Sequence, residues 1–213
     1  MAPADLLDCY RRGLFPMAES RDSAKLFLVD PEERGVLPLA PFRVPRRLAR
    51  TVRRDPFRVT ADEAFDAVIA GCAESAPGRT ETWINDDIRA LYGALHRQGH
   101  AHSIECWAGD ALAGGLYGVA LGGAFFGESM FSRATDASKI ALVHLAGRLQ
   151  AGGFTLLDAQ FHNAHLAQFG IETISRQAFR RRLRDALARS GNFHAMAAGV
   201  SGAQLLQSMA HTS

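Results

Sequence analysis

Three polar side chains close otherwise apolar stretches of this chain, and polar groups in that position are where chemistry tends to sit. Glu128 is the one acidic residue in the glycine- and aromatic-rich run Gly114–Ser132. Asp158 and Gln160 end the apolar run that starts at Phe154, and Asn163 follows closely. A carboxylate is the expected partner for a guanidinium or ammonium group. Residues two apart on a strand point to the same face, so Asp158 is placed to orient the Gln160 amide. Gln is a poor base, and its amide is suited to orienting a group by hydrogen bonding. The same residues also permit plainer readings. Asp158 and Gln160 could be a structural polar pair, Glu128 could pair with a local Arg such as Arg133, and Asn163 could cap a helix.

The surrounding periodicities say what must position these groups. A short helix over Pro3–Leu14 carries Leu6, Leu7, Tyr10 and Leu14 on one stripe. Residues 14–39 read as irregular and extended, since Pro16, Pro31 and Pro38 forbid a long helix. A basic helix over Arg46–Arg54, a strand at Phe57–Thr60 and an amphipathic helix over Ala61–Ser75 follow. Pro77-Gly78 opens a loop, and Asn85 caps a further helix with Asp86 and Asp87 in its first turn. Three strands then run over His102–Trp107, Ala111–Ala120 and Ala124–Ser132. Their many glycines mark a bulge or a close approach. A helix over Asp136–Gln150, a strand over Phe154–Gln160, a short helix over Asn163–Phe169, a strand at Glu172–Ile174 and a last helix over Arg176–Arg189 complete the pattern. The order predicts an α+β domain with a mixed, mostly antiparallel sheet. It divides into a small N-terminal subdomain or arm over 1–41 and a main domain over 42–213, with a poorly ordered tail from about Ser190.

Composition narrows the class. With 213 residues and 47% apolar, the chain can bury a core. No run approaches the roughly 20 apolar residues of a membrane span, and no basic segment followed by an apolar one suggests a signal peptide. Cys9, Cys72 and Cys106 are odd in number and contain no CxxC, which fits reduced thiols in a cytoplasmic protein. No Cys/His cluster in the sequence supplies four zinc ligands. The net charge of +2 hides two arginine clusters, one around Arg46, Arg47, Arg50, Arg53 and Arg54 and one around Arg180, Arg181 and Arg182. Guanidinium forks suit phosphate, so a polyanion such as RNA is favoured over two solvated helix faces.

Longer words then carry a resemblance. They are Tyr10-Arg11-Arg12-Gly13-Leu14-Phe15-Pro16, Asp30-Pro31 with Arg34-Gly35-Val36-Leu37, and Thr82-Trp83-Ile84. Gly99–Glu105, Gly114–Val119, Gly127-Glu128-Ser129-Met130-Phe131-Ser132, Ala137-Ser138-Lys139 and Asp158-Ala159-Gln160 complete the set. Together they resemble the leucyl/phenylalanyl-tRNA–protein transferases over about Asp5 to Leu187. The resemblance implies a GNAT-like acyltransferase domain. It also implies transfer of Leu, Phe or (less well) Met from aminoacyl-tRNA to the α-amine of proteins beginning with Arg or Lys, in the N-degron pathway, with no metal and no coenzyme A. By position, Asp158 and Gln160 then serve the reacting amine, while Glu128 and Asn163 hold the acceptor peptide. Trp83 meets the terminal adenosine of the tRNA. An apolar slot for the transferred side chain draws on Leu116, Phe126, Met130, Leu142 and Leu145, and the arginine clusters track the tRNA backbone without reading sequence. The protein is expected to act as a monomer. Leu28 stands where the family carries a tryptophan, so a stacking surface is expected to be missing.

Three other readings use the same sequence. An acetyl-CoA-dependent acyltransferase needs a Gly-rich pyrophosphate loop, and Ser132–Lys139 has none. A transferase for acidic N-termini is disfavoured by the charge of Glu128. A non-catalytic tRNA-binding module has no use for Asp158, Gln160 and Glu128. His100, His102, His162 and His165 have no nucleophile partner and read as structural.

Overall fold

The computed structural model describes residues 1–18, 26–74 and 82–211. Helix α1 (Pro3–Arg11) starts on a proline, whose missing N–H costs nothing in a first turn. A two-stranded antiparallel ribbon follows, β1 (Phe15–Ala18) with β2 (Leu26–Val29). Strand β3 (Glu33–Leu37) comes next, so part of the stretch expected to be irregular is regular. The remaining elements are α2 (Arg46–Val52), β4 (Arg58–Ala61), α3 (Phe65–Ala73), α4 (Asp86–Arg97), β5 (Ala101–Ala108), β6 (Ala111–Leu121) and β7 (Ala124–Ser132). After them come α5 (Ala137–Ala151), β8 (Leu156–Gln160), α6 (Ala164–Ala167), β9 (Glu172–Ser175), α7 (Arg176–Leu187) and α8 (Gly202–His211). The Asn85 side chain caps α4 by accepting from the Ile88 N–H at 2.9 Å. The loop expected at Pro77-Gly78 lies outside the described residues.

Among the described residues the main sheet has seven strands in the order β4-β5-β6-β7-β8-β3-β9. Among the described residues only β7 and β8 pair in parallel, joined through α5, so the sheet is mixed and mostly antiparallel as the element order predicts. Strand β3 belongs to the 1–41 interval, yet it sits between β8 and β9 deep in this sheet. No local pattern around Glu33–Leu37 announces that partnership.

The sheet is covered on both faces. One face carries α3 and α4 with parts of α1 and α7, around Val68, Ile88, Tyr92, Phe126 and Phe179. The other carries α5, buried almost all round because α2 and α8 pack over its outer side. The tail expected to be poorly ordered is thus structured in α8. Leu205 of α8 lies directly against Gly147 of α5, where any Cβ would collide. Cys9, Cys72 and Cys106 are all buried. Among the described residues, no helix is long and apolar enough to cross a membrane.

Candidate active site

The site forms where β7 and β8 part. Their parallel pairing runs from Ala124 opposite Leu156 to Phe126 opposite Asp158. Beyond that, Gly127–Ser132 and Asp158–Ala159 line opposite walls of a cavity of about 720 Å³, closed below by Leu142 and Leu145 of α5. Leu37, Leu116, Met130, Leu157 and Leu166 complete an apolar floor.

Glu128 enters the cavity from a bulge. The register of β6 and β7 jumps from Tyr117 opposite Ser129 to Gly118 opposite Gly127, which leaves Glu128 unopposed. Gly118 permits this, because a Cβ there would strike the Phe126 carbonyl and the Phe125 ring. Two phenols hold the carboxylate. Tyr10 of α1 donates to Oε1 at 2.6 Å and Tyr92 of α4 donates to Oε2 at 2.9 Å. The two hydroxyl oxygens also stand 2.6 Å apart, and because each phenol carries one proton, a hydroxyl that donates to its neighbour gives up its bond to an ionised carboxylate. Burial pushes the Glu128 carboxyl up to about 7; the two phenols and Gln160 oppose the rise, while the charge of Asp158 adds to it. Arg133 does not pair with Glu128. It bonds Glu74 at 2.6 Å instead.

Asp158 is fully buried and already engaged. Arg34 clasps it with two parallel hydrogen bonds, Nε to Oδ1 at 2.8 Å and Nη2 to Oδ2 at 2.6 Å. The guanidinium lies between the rings of Phe15 and Phe179, at 4.6 and 4.3 Å, and its third arm donates to the Gly13 carbonyl at 2.9 Å. Such a pair persists in a dry interior only when its remaining hydrogen bonds are satisfied. Asp158 Oδ1 also accepts the Gln160 backbone N–H at 2.9 Å.

That last bond corrects the expected arrangement. Gln160 has φ +63°, a left-handed conformation that breaks the strand alternation, so Asp158 holds its backbone and not its amide. The amide is held by Glu128, with Nε2 donating to Oε1 at 3.1 Å. An ionised carboxylate only accepts, so the NH2 must face it, and the Gln160 carbonyl oxygen has no hydrogen-bond donor among the described residues. The turn after Gln160 crosses Gly35 closely. A Cβ there would lie 2.8 Å from the Phe161 carbonyl carbon.

The other expected residues divide. Asn163 lines the cavity and also caps α6, its side chain accepting from Leu166 N–H at 2.9 Å. Leu116, Met130, Leu142 and Leu145 line the cavity. Phe126 does not, because alternation along β7 turns it to the opposite face, where its ring centroid is 4.7 Å from that of Tyr10. Trp83 precedes α4, half-buried against the α3/α4 core, and is not one of the residues that line the cavity. His165, read as structural, stands in the cavity wall, and burial lowers its pKa. Leu28 is 45% exposed on β2.

The arginine clusters are on the surface. Arg46, Arg47, Arg50, Arg53 and Arg54 are exposed and make no ion pair among the described residues. On α7, Arg180 pairs with Asp30 at 2.6 Å and Arg182 with Glu172 at 3.3 Å, while Arg181 is exposed. Arg34, Tyr10 and Tyr92 are site residues that sequence reasoning missed. Tyr10 and Tyr92 sit on apolar helix stripes and read as core, and Arg34 carried only the signal of its Arg-Gly-Val word.

The leucyl/phenylalanyl-tRNA protein transferase family matches this chain over residues 36–184. The chain belongs to that family. Leucyl/phenylalanyl-tRNA–protein transferases from Caulobacter vibrioides and Phenylobacterium zucineum are 61% and 63% identical to it over 209 and 199 residues. Those matches cover 98% and 93% of this chain and 96% and 90% of the relatives. The protein of that name from Hyphomonas neptunium is 65% identical over 192 residues, 90% of this chain and 74% of its own length. This chain is therefore an aminoacyltransferase, and the cavity between β7 and β8 is its candidate active site.

Proposed function

We propose that this transferase moves Leu or Phe, and Met less well, from aminoacyl-tRNA to the α-amine of proteins beginning with Arg or Lys, marking them for N-degron degradation. It works in the cytoplasm as a monomer, and neither a metal nor coenzyme A takes part in the transfer chemistry. The observation that carries this reading is the Glu128–Gln160 contact at an apolar cavity. It sets a cation partner and a free carbonyl acceptor side by side. The parting of β7 and β8 supports a GNAT-like domain.

The transferred side chain occupies the apolar floor at Leu116, Met130, Leu142 and Leu145. The cationic first residue of the acceptor meets Glu128, and Asn163 holds the peptide that follows. The acceptor's neutral amine donates to the Gln160 oxygen and attacks the ester carbonyl. The new C–N bond forms, the C–O bond to the ribose breaks, and the amine proton leaves with the ribose hydroxyl. An ester is already activated, so positioning does most of what is needed. Asp158, locked by Arg34, acts through Gln160 by fixing its backbone. Trp83 stacks on the terminal adenosine. The arginines of α2 (Arg46, Arg47, Arg50), with Arg53 and Arg54, and those of α7 (Arg180, Arg181, Arg182) follow the acceptor-stem phosphates.

The test is transfer of labelled leucine from Leu-tRNA to four peptides that differ only in a first residue of Arg, Lys, Asp or Glu. Transfer to Arg and Lys alone is expected, and Gln160→Ala is expected to slow it by about 100-fold with tRNA binding intact. Transfer to the acidic peptides would overturn the role given to Glu128.

A further inference from the structure

A second cluster of polar side chains lies outside the β7/β8 cavity. Asp62, in the turn between β4 and α3, meets His102 of β5 and His194 of the segment between α7 and α8. One carboxylate oxygen receives both imidazoles. Asp62 Oδ2 is 2.7 Å from His102 Nδ1 and 3.3 Å from His194 Nε2, and the three ligand atoms all lie within 4.8 Å of one another.

We propose that Asp62, His102 and His194 form a three-ligand site for a divalent first-row transition-metal ion of the zinc class, with a fourth position open to water. Zinc bonds to imidazole and carboxylate of about 2.0–2.2 Å place tetrahedral ligand atoms about 3.3 Å apart. His194 already stands at that separation from Asp62. His102 reaches it when the Asp62 carboxylate turns away by about half an ångström. Two imidazoles and one carboxylate, with no thiolate, suit zinc, nickel or copper over calcium or magnesium.

The supports of such a site are also in place. Asp62 Oδ1 accepts the Ser103 N–H at 2.8 Å, which fixes the carboxylate as outer hydrogen bonds fix metal ligands. Phe193 stacks on the His102 ring at 4.0 Å and orients it. Arg148 Nη1 donates to the Phe193 and Met196 carbonyls at 3.1 and 3.2 Å, which anchors the segment that presents His194. His194 is 62% exposed and gives an ion its entry path. His96 is nearby but is not a ligand, because its Nδ1 is taken by the Ala101 carbonyl at 2.8 Å. The three ligands come from three separate parts of the chain, so the ion would clip the α8-bearing segment to the sheet. A ligand that binds only the folded state raises stability.

The test uses the full, untagged chain with Zn2+ alone. Calorimetric titration is expected to show one saturable equivalent per chain, and the unfolding midpoint is expected to rise with zinc. His194→Gln, a change at an exposed position, is expected to weaken binding by about 100-fold or more and to abolish the rise. The Co2+-substituted protein is expected to show d–d bands without a thiolate charge-transfer band. The absence of saturable binding, equal binding by His194→Gln, or a thiolate band from the buried cysteines would each overturn the proposal.

Discussion

Replacing Glu128 by Gln is expected to make the protein more stable and less active, with the stability change depending on pH. Burial moves the Glu128 carboxyl from its ordinary 4.5 up to about 7. An acid with a higher pKa in the folded state binds more protons there than in the unfolded chain between those two values. The cost of the buried carboxylate is therefore absent below 4.5, grows as pH rises, and is complete above about 7. That displacement corresponds to about 3 kcal/mol. Gln has the same shape and no charge. Its oxygen can accept from Tyr10 and its amide can donate to the Tyr92 hydroxyl, which in turn donates to Tyr10, so no hydrogen bond is lost. Urea unfolding should show the variant ahead of wild type by about 2–3 kcal/mol at pH 8 and by little at pH 5. Transfer to an Arg-initiated peptide at pH 8 should fall about 100- to 1,000-fold, since removing one partner of a desolvated ion pair costs about 3–4 kcal/mol. A variant less stable than wild type at pH 8, or an advantage that does not change with pH, would refute the buried-carboxylate reasoning. Unchanged transfer would refute the contact with the acceptor.

Three further outcomes follow from the same geometry. Arg34→Ala leaves the Asp158 carboxylate buried and unpaired, and should lower unfolding stability by about 3–5 kcal/mol; Arg34→Lys should rescue little, because an ammonium cannot make the two parallel bonds. Tyr92→Phe removes a donor that favours ionised Glu128, so the rise of Arg-peptide transfer with pH should move to higher pH in a pH–rate profile. Leu205→Ala opens a gap between α8 and α5 and should cost about 2–4 kcal/mol, with faster proteolysis of the C-terminal helix.

Much of the fold is local and was legible in the chain. The apolar stripe of α4 and its Asn85 cap, the glycine-marked bulge in β7, and the order of strands and helices from α2 to α7 all follow from neighbours a few residues apart. So do the words that carry the family resemblance, which include Glu128, Asp158 and Gln160. Periodicity and capping repeat over one or two turns, and a sequence displays them directly. The tertiary structure alone decided what those groups do to each other. Arg34 and Asp158 are 124 residues apart, and Tyr10 and Glu128 are 118 apart. No pattern along the chain reports that β3 slips between β8 and β9, which is what brings Arg34 to Asp158. That pairing fixes the left-handed Gln160, which turns the amide toward Glu128 instead of Asp158. Phe126 left the cavity for a related reason: the bulge and the strand alternation settle each side chain's face, and only the paired sheet sets their phase. Alpha-helix α8 was equally hidden. Its small residues read as a loose tail, and its order comes from packing Leu205 and Met209 on a helix that lies more than fifty residues earlier.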